Sequence, residues 1–324
     1  MPVHYETDGA PERDDMPALP PKNRYLSPVP TLLLTLPTLL LSLLVLFVVG
    51  ELVGRWAAAV IAVLWVYFGA VVVNGVWFRP NRKGLARRAF RLRAPVSPET
   101  ERLAAAWANV TSRPGLDGWP YSLWVQQSDE LNAFAAPARM VGATSWAIAK
   151  LAPRQLEAIL AHELGHHLVV DARARLFDVC LAMPAVFLRR LGERGGRLLE
   201  FLGDRAPAVR FLVAVGAAVA AVLASIPVLR DGGAAVLGVL LFVEPLARAA
   251  QSRREESAAD LVAVDLGYGY ALMAALRRWI ESSPPPPSGV LAVRDRLFST
   301  HPPMSRRLRA IEDRMRERPC GTEL

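Results

Sequence analysis

Three of the five histidines in this 324-residue chain fall in one short stretch, Ala161-His162-Glu163-Leu164-Gly165-His166-His167. His162 and His166 are spaced i, i+4, which on an α-helix stacks two side chains on one face, one turn apart. Two imidazoles so placed can reach a single tetrahedral zinc ion at about 2.0–2.1 Å each. Glu163 lies about 100° further round such a helix. It is therefore beside the metal rather than on it, where a carboxylate can take a proton from an activated water. The H-E-x-x-H spacing also arises by chance on amphipathic helices. Here Leu156, Ile159, Leu160, Leu164 and Leu168 recur at helical spacing, which predicts a helix. Its apolar stripe has no structural need of a His, Glu and His beside it.

Two histidines do not complete a catalytic zinc site; a third protein ligand is expected, with a fourth position left to water. The segment Ser252-Arg253-Arg254-Glu255-Glu256-Ser257-Ala258-Ala259-Asp260 offers candidates on a second helix. Glu256 and Asp260, again i, i+4, share a face with the small residues Ala259 and Ala263, while Glu255 points about 100° away. Small residues allow the close helix approach that a ligand reaching across a cleft requires. Glu256 is accordingly the expected third ligand. Asp260 is expected to accept a hydrogen bond from the far nitrogen of a ligating histidine. The competing reading is an acidic pair on a solvated helix face.

The elements that must carry these groups are expected to lie against a membrane. Hydrophobic residues make up 52% of the chain and the mean hydropathy is +0.25, above what a soluble domain of this size needs. The formal charge of +8 and pI of about 10.1 suit basic loops of a membrane protein as well as they suit nucleic acid. No Gly-rich phosphate loop or zinc-finger spacing supports the nucleic-acid option, so no nucleic-acid partner is expected. Cys180 and Cys320 are too far apart in sequence and too isolated to indicate a disulfide framework. Residues 1–29 are polar and Pro-rich and are expected to be a disordered tail. Thr31–Val49 and Trp56–Phe78 are uncharged apolar runs, read as a transmembrane hairpin over 30–78. Arg79, Arg82, Lys83, Arg87, Arg88, Arg91 and Arg93 follow at once, which by the positive-inside rule places both that loop and the H-E-x-x-H helix in the cytoplasm. Phe211–Leu229 and Gly232–Ala247 are read as a second hairpin, at about 210–248. Phe177–Leu188, flanked by arginines, is read as a packed or interfacial helix. About four spans are thus expected, with a cytoplasmic domain over 79–324 that the second hairpin interrupts.

Within that domain, Ser97 and Pro98 read as a helix start and Leu103, Trp107 and Val110 as its apolar face. Extended segments are predicted at Tyr121–Gln126, Asn132–Ala135 and Val141–Ile148. The expected fold class is mainly α with a small β-sheet, an α+β zincin-type arrangement in which a sheet edge could hold an extended peptide. A plain core sheet is the alternative. Pro284–Pro287 reads as a rigid linker, ahead of His301-Pro302-Pro303.

Taken together, Asn132-Ala133-Phe134-Ala135, His162-Glu163-Leu164-Gly165-His166, Asp171, Ser252-Arg253 with Glu256 and Ala259-Asp260, and His301-Pro302-Pro303 with Arg307 resemble, in that order, the HtpX and CAAX-prenyl-protease family of membrane zinc metalloproteases. The likeness covers roughly Arg79 to Arg314 and the two leading spans, and the HtpX branch fits better because only about four spans are visible. The resemblance implies that Asn132 and Ala133, with Phe134 and Arg307, bind substrate. It implies that Glu256 is the third ligand, that His301 stabilises the oxyanion, and that Asp171 joins Asp260 around the ligands.

The resulting expectation is a zinc endopeptidase of the plasma (inner) membrane, with one Zn2+ per chain and polypeptide substrates, foremost membrane or misfolded proteins. Two rivals stand beside it. One is a processing protease with a single lipidated or signal-bearing substrate, the other a zinc-binding sensor or scaffold that cleaves nothing. An intact Glu163 argues against the second, since a structural site has no use for a base. Oligomeric state is left open.

Overall fold

The computed structural model describes residues 28–74, 82–112, 116, 121–169, 180–184, 190, 194–195, 197, 233–282 and 297–317. Residues 1–27 of the expected tail, Asp171, the apolar stretch Phe211–Leu229, the Pro284–Pro287 run and Cys320 lie outside them, while the last two residues of that tail, 28 and 29, are helical. The chain divides into two compact units: Met1–Pro28 with Pro80–Ala172 and Ser252–Leu324, and Val29–Arg79 with Arg173–Gln251. The described part is mostly helical with one small mixed sheet, the α+β class that the alternating and helical patterns predict.

The second unit holds α1 (Pro28–Leu52) and α2 (Arg55–Val73). Gly54 joins them with φ 115°, a conformation that costs a side-chain-bearing residue strain. Val63, Val66 and Tyr67 of α2 are exposed, the reverse of a core helix. Arg55–Val72 is the one stretch among the described residues long and apolar enough to cross a bilayer, and α1 carries a shorter apolar run, Leu36–Phe47. Ser42 Oγ donates to the Leu181 carbonyl at 2.6 Å and Trp65 Nε1 to that of Cys180 at 2.5 Å. The expected span Gly232–Ala247 falls at the start of α7 (Gly233–Asp265), where Glu244 is buried and paired with Arg248.

In the first unit, α3 (Arg82–Ala89) precedes the edge strand β1 (Leu92–Arg93), and α4 (Glu99–Thr111) begins just after Pro98. Glu99 turns back to hold the Arg93 guanidinium at 2.6 and 2.8 Å. The sheet is completed by β2 (Ser122–Gln126), β3 (Ala133–Ala136) and β4 (Met140–Thr144), in the order β1-β2-β4-β3. β2 and β4 are parallel; the two outer pairs are antiparallel. Alternation sorts the side chains: Val125, Val141 and Ala143 face the main core, while Trp124, Phe134 and Met140 pack with Ala86 and Leu92 on the other side. Gly142 lies under the Phe134 ring, where a Cβ would come within 2.5 Å of the ring carbon Cζ. The third extended segment ends earlier than expected. Thr144 Oγ1 accepts from the Ala147 amide at 3.2 Å, an N-cap that turns Ser145–Lys150 into the short helix α5.

The central element is α6 (Pro153–Val169). Pro153 suits the first helical position, and Gln155 Oε1 accepts from the Ala152 amide at 3.2 Å, the reciprocal half of a capping box. Leu156, Ala158, Leu160, Ala161, Leu164 and Gly165 are buried, so α6 is enclosed on most of its circumference. It packs against β3, β4 and α4, and against α8 (Gly269–Ser282). His167 Nε2 lies 3.1 Å from the Met140 carbonyl, which ties the last turn of α6 to β4. α7 approaches α6 so closely that a Cβ on Gly165 would meet the Cα and carbonyl oxygen of Ala259 at 2.9 Å.

That contact is backbone against backbone, so it cannot be relieved by a rotamer change. Gly165→Ala is expected to cost about 1–3 kcal/mol through overpacking. Thermal unfolding of the purified chain measures it; an unchanged midpoint would mean that α6 and α7 are not held at this distance.

Candidate active site

Helix geometry brings the H-E-x-x-H pair and the distant Glu256 together. One ligand atom from each of His162, His166 and Glu256 can be chosen so that all lie within 4.8 Å of one another. The Nε2 atoms of both imidazoles face the Glu256 carboxylate, His162 at 3.7 Å from Oε2 and His166 at 3.2 Å from Oε1. The rings stand nearly perpendicular, 88° apart with centroids at 4.9 Å, as one turn of α6 places them. His162 Nδ1 turns the other way and lies 2.9 Å from Asp260 Oδ1, with its N–H off the line to the oxygen. His166 Nδ1 is buried with no hydrogen-bond partner among the described residues.

The same helix face, Glu256-Asp260 with Ala259 and Ala263, is the one the sequence assigns to close approach, and both alanines are fully buried. Asp260 is gripped by α9 (Met304–Glu317): Arg307 Nε donates to Oδ2 at 2.8 Å and Nη2 to Oδ1 at 2.7 Å. Arg307, expected against substrate, is 3% exposed and has both arms of its fork on this carboxylate. Asn132 sits exposed at the start of β3, its Oδ1 accepting from the Ala133 amide at 2.9 Å. Ala133 packs on the main core, and the Phe134 side chain joins the opposite face of the sheet. His301 arrives from the far side, with Nδ1 3.0 Å from Glu256 Oε2 and a side chain 53% exposed. The clamp of Arg307 on Asp260 is the main feature sequence reasoning misses, because a basic amphipathic helix reads as a solvated face and nothing local marks one arginine as buried.

Electrostatics follow from this packing. Burial pushes the Glu163 carboxyl above its usual range, against the pull of both imidazoles. Its carboxylate makes no hydrogen bond or ion pair among the described residues. Burial alone would drive the proton off His162, but Asp260 and Glu256 outweigh it and push the imidazole up to about 10. For Glu256 burial favours the neutral acid, yet His162, His166 and His301 hold it far below the usual carboxylate range. Asp260 is held low as well, burial being outweighed first by Arg307.

These residues fit a bound zinc ion. Glu256 and Asp260 are buried carboxylates held low, and Glu256 faces the Nε2 atoms of both imidazoles, an arrangement that a dication would complete. Two imidazole nitrogens and one carboxylate are the donor set of a catalytic rather than a structural zinc site.

Removing the Asp260 carboxylate would strand Arg307 as an uncompensated buried charge. Asp260→Ala is expected to destabilise the fold by about 3–5 kcal/mol. It should also weaken zinc binding by about 10- to 100-fold, because His162 loses its second partner. Urea unfolding and a chelator-competition titration measure the two; a variant that matches the parent in both would show that this contact does not orient the ligand.

A family model described as Peptidase family M48 matches residues 96–315. No curated protein matches the chain at a significant level. Among solved structures, the crystal structure of S. mikatae Ste24p is similar, with 15% identity and a TM-score of 0.42, covering 84% of this chain and 61% of that one. The chain therefore spans about three-fifths of the length of that protein. The family match runs from the residues just before α4 into α9, well over half of the sequence, and the chain belongs to peptidase family M48.

Proposed function

We propose that the chain is a membrane-anchored zinc endopeptidase that cuts membrane or misfolded proteins on the cytoplasmic side of the inner membrane. The observation that carries this reading is the convergence of His162, His166 and Glu256 beside the buried carboxyl of Glu163. His162 and His166, through Nε2, and Glu256 would hold the metal. When bound, zinc would supply Lewis-acid chemistry, acidifying a water and polarising the scissile carbonyl.

The chain's own residues perform the rest. Glu163, buried and with raised proton affinity, is suited to take a proton from water and pass it to the leaving amine. His301, half exposed beside Glu256, would donate to the oxyanion as charge develops. β3 ends the sheet, so its outer edge offers main-chain groups to an extended peptide, with Asn132 and Ala133 at its start. Phe134 would contribute its backbone there, since its side chain faces away. Arg307 is better read as the holder of Asp260 than as a substrate contact.

Membrane anchoring is supported by α2 and by the basic run from Arg79 to Arg93 that follows it, which also favours the cytoplasmic orientation. The further spans, the second hairpin at about 210–248 and membership of the HtpX branch belong to the same proposal. A single dedicated substrate is the second reading. A non-catalytic zinc sensor is disfavoured by the presence of Glu163, since a structural site has no use for a base.

Glu163→Gln should retain about one zinc per chain while peptidase activity falls about 10²- to 10⁴-fold; metal analysis alongside casein cleavage checks both. Full cleavage by that variant would overturn the mechanism. Chelation should abolish activity in the parent, with zinc restoring it. In cells carrying Glu163→Gln, accumulation of many membrane proteins is expected; a single accumulating precursor would favour the dedicated enzyme instead.

A further inference from the structure

Glu256 is flanked on its own helix by two residues that fasten the same downstream segment. One turn before it, Arg253 Nη1 donates to the main-chain carbonyls of Ser299 at 2.8 Å and Leu297 at 3.2 Å. Ser299 passes this hold on: its Oγ donates to the His301 carbonyl at 3.0 Å and accepts from the His301 amide at 3.3 Å. One turn after Glu256, Asp260 grips Arg307. His301 thus lies between two anchor points on α7, followed by Pro302 and Pro303, whose rings limit backbone freedom. Its imidazole is half exposed, so side-chain packing does little to place it. The backbone that carries it must do so.

We propose that Arg253 is a positioning residue for His301, setting where that imidazole stands over the Glu256 carboxylate. It does so by spanning two carbonyls with one guanidinium nitrogen, a fixed planar arrangement that a lysine's flexible ammonium reproduces only in part. The alternative is that Arg253 merely stabilises the fold, and the two differ in what they predict. A positioning role appears in turnover and in the local order of the 297–301 segment. A general structural role appears in metal content and global stability.

The inference rests on the catalytic role proposed for His301, so the experiment separates the two. The full chain in detergent is compared with Arg253→Ala, Arg253→Lys, His301→Ala and the Arg253→Ala/His301→Ala pair. Arg253→Ala should lower kcat by about tenfold to hundredfold, the scale of a roughly 1 Å misplacement. Its KM should stay within about twofold and its zinc content should not change. Arg253→Lys should recover part of the loss. In the His301→Ala background, adding Arg253→Ala should change kcat by less than about twofold, because the residue it positions is gone. Independently of activity, hydrogen exchange at the amides of residues 299–301 should accelerate in Arg253→Ala while α6 keeps its protection. Unchanged exchange in that loop, multiplicative losses in the double variant, a fall in zinc content, or full kcat in His301→Ala would each overturn the proposal. A parent protein that binds zinc and cleaves nothing sinks the peptidase reading instead, and the exchange measurement alone then decides whether Arg253 holds the loop.

Discussion

Acidic groups drawn out of water around two imidazoles are the constraint around which the first unit is assembled. Glu163, Glu256 and Asp260 sit out of solvent, with Arg307 the one buried guanidinium beside them among the described residues. Each carboxylate withdrawn from water is costly unless paired. Asp260 and Glu256 answer it in part by holding the His162 proton well above the ordinary histidine range. A dication would answer it more completely, and it would compete with protons for the imidazole nitrogens that hold it.

α7 distributes the work. Arg253, Glu256 and Asp260 project from successive turns, and each engages a different partner: the 297–299 backbone, the imidazoles, and the α9 guanidinium. α6 contributes the remaining groups from a helix almost enclosed by α4, α8 and the sheet. Enclosure limits how far His162 and His166 can drift, and Arg314 on α9 adds a second clamp by gripping Asp265, further along α7, at 3.1 and 2.9 Å. Among the described residues the Glu163 carboxylate makes no hydrogen bond or ion pair, and it feels His162, His166 and Arg307 only as charges at longer range.

Local spacing makes some of this legible and long-range packing hides the rest. The i, i+4 pairs His162-His166 and Glu256-Asp260 can be read directly, because helix periodicity alone decides which side chains share a face. Ala259 and Ala263 mark the close-packed side of α7 for the same reason. The strands are readable in number and approximate place, but the end of β4 is not, since Thr144 looks like a strand residue until its hydroxyl caps α5. Arg307 and Arg253 are opaque in sequence: one arginine among many reveals its burial or its partners only when segments some fifty residues apart meet. The likeness to a family supplies His301, which its surroundings in the chain do not distinguish from a surface turn.

The meeting of Gly165 with Ala259 carries one more consequence. Main-chain atoms do not hop between rotamers, so the gap between the two helices behaves as a rigid spacer and not as a cushion of side chains. A cage spanned that way has little capacity to swell. Any change in the distance between His162 and His166 on α6 and Glu256 on α7 has to move whole helices rather than side chains.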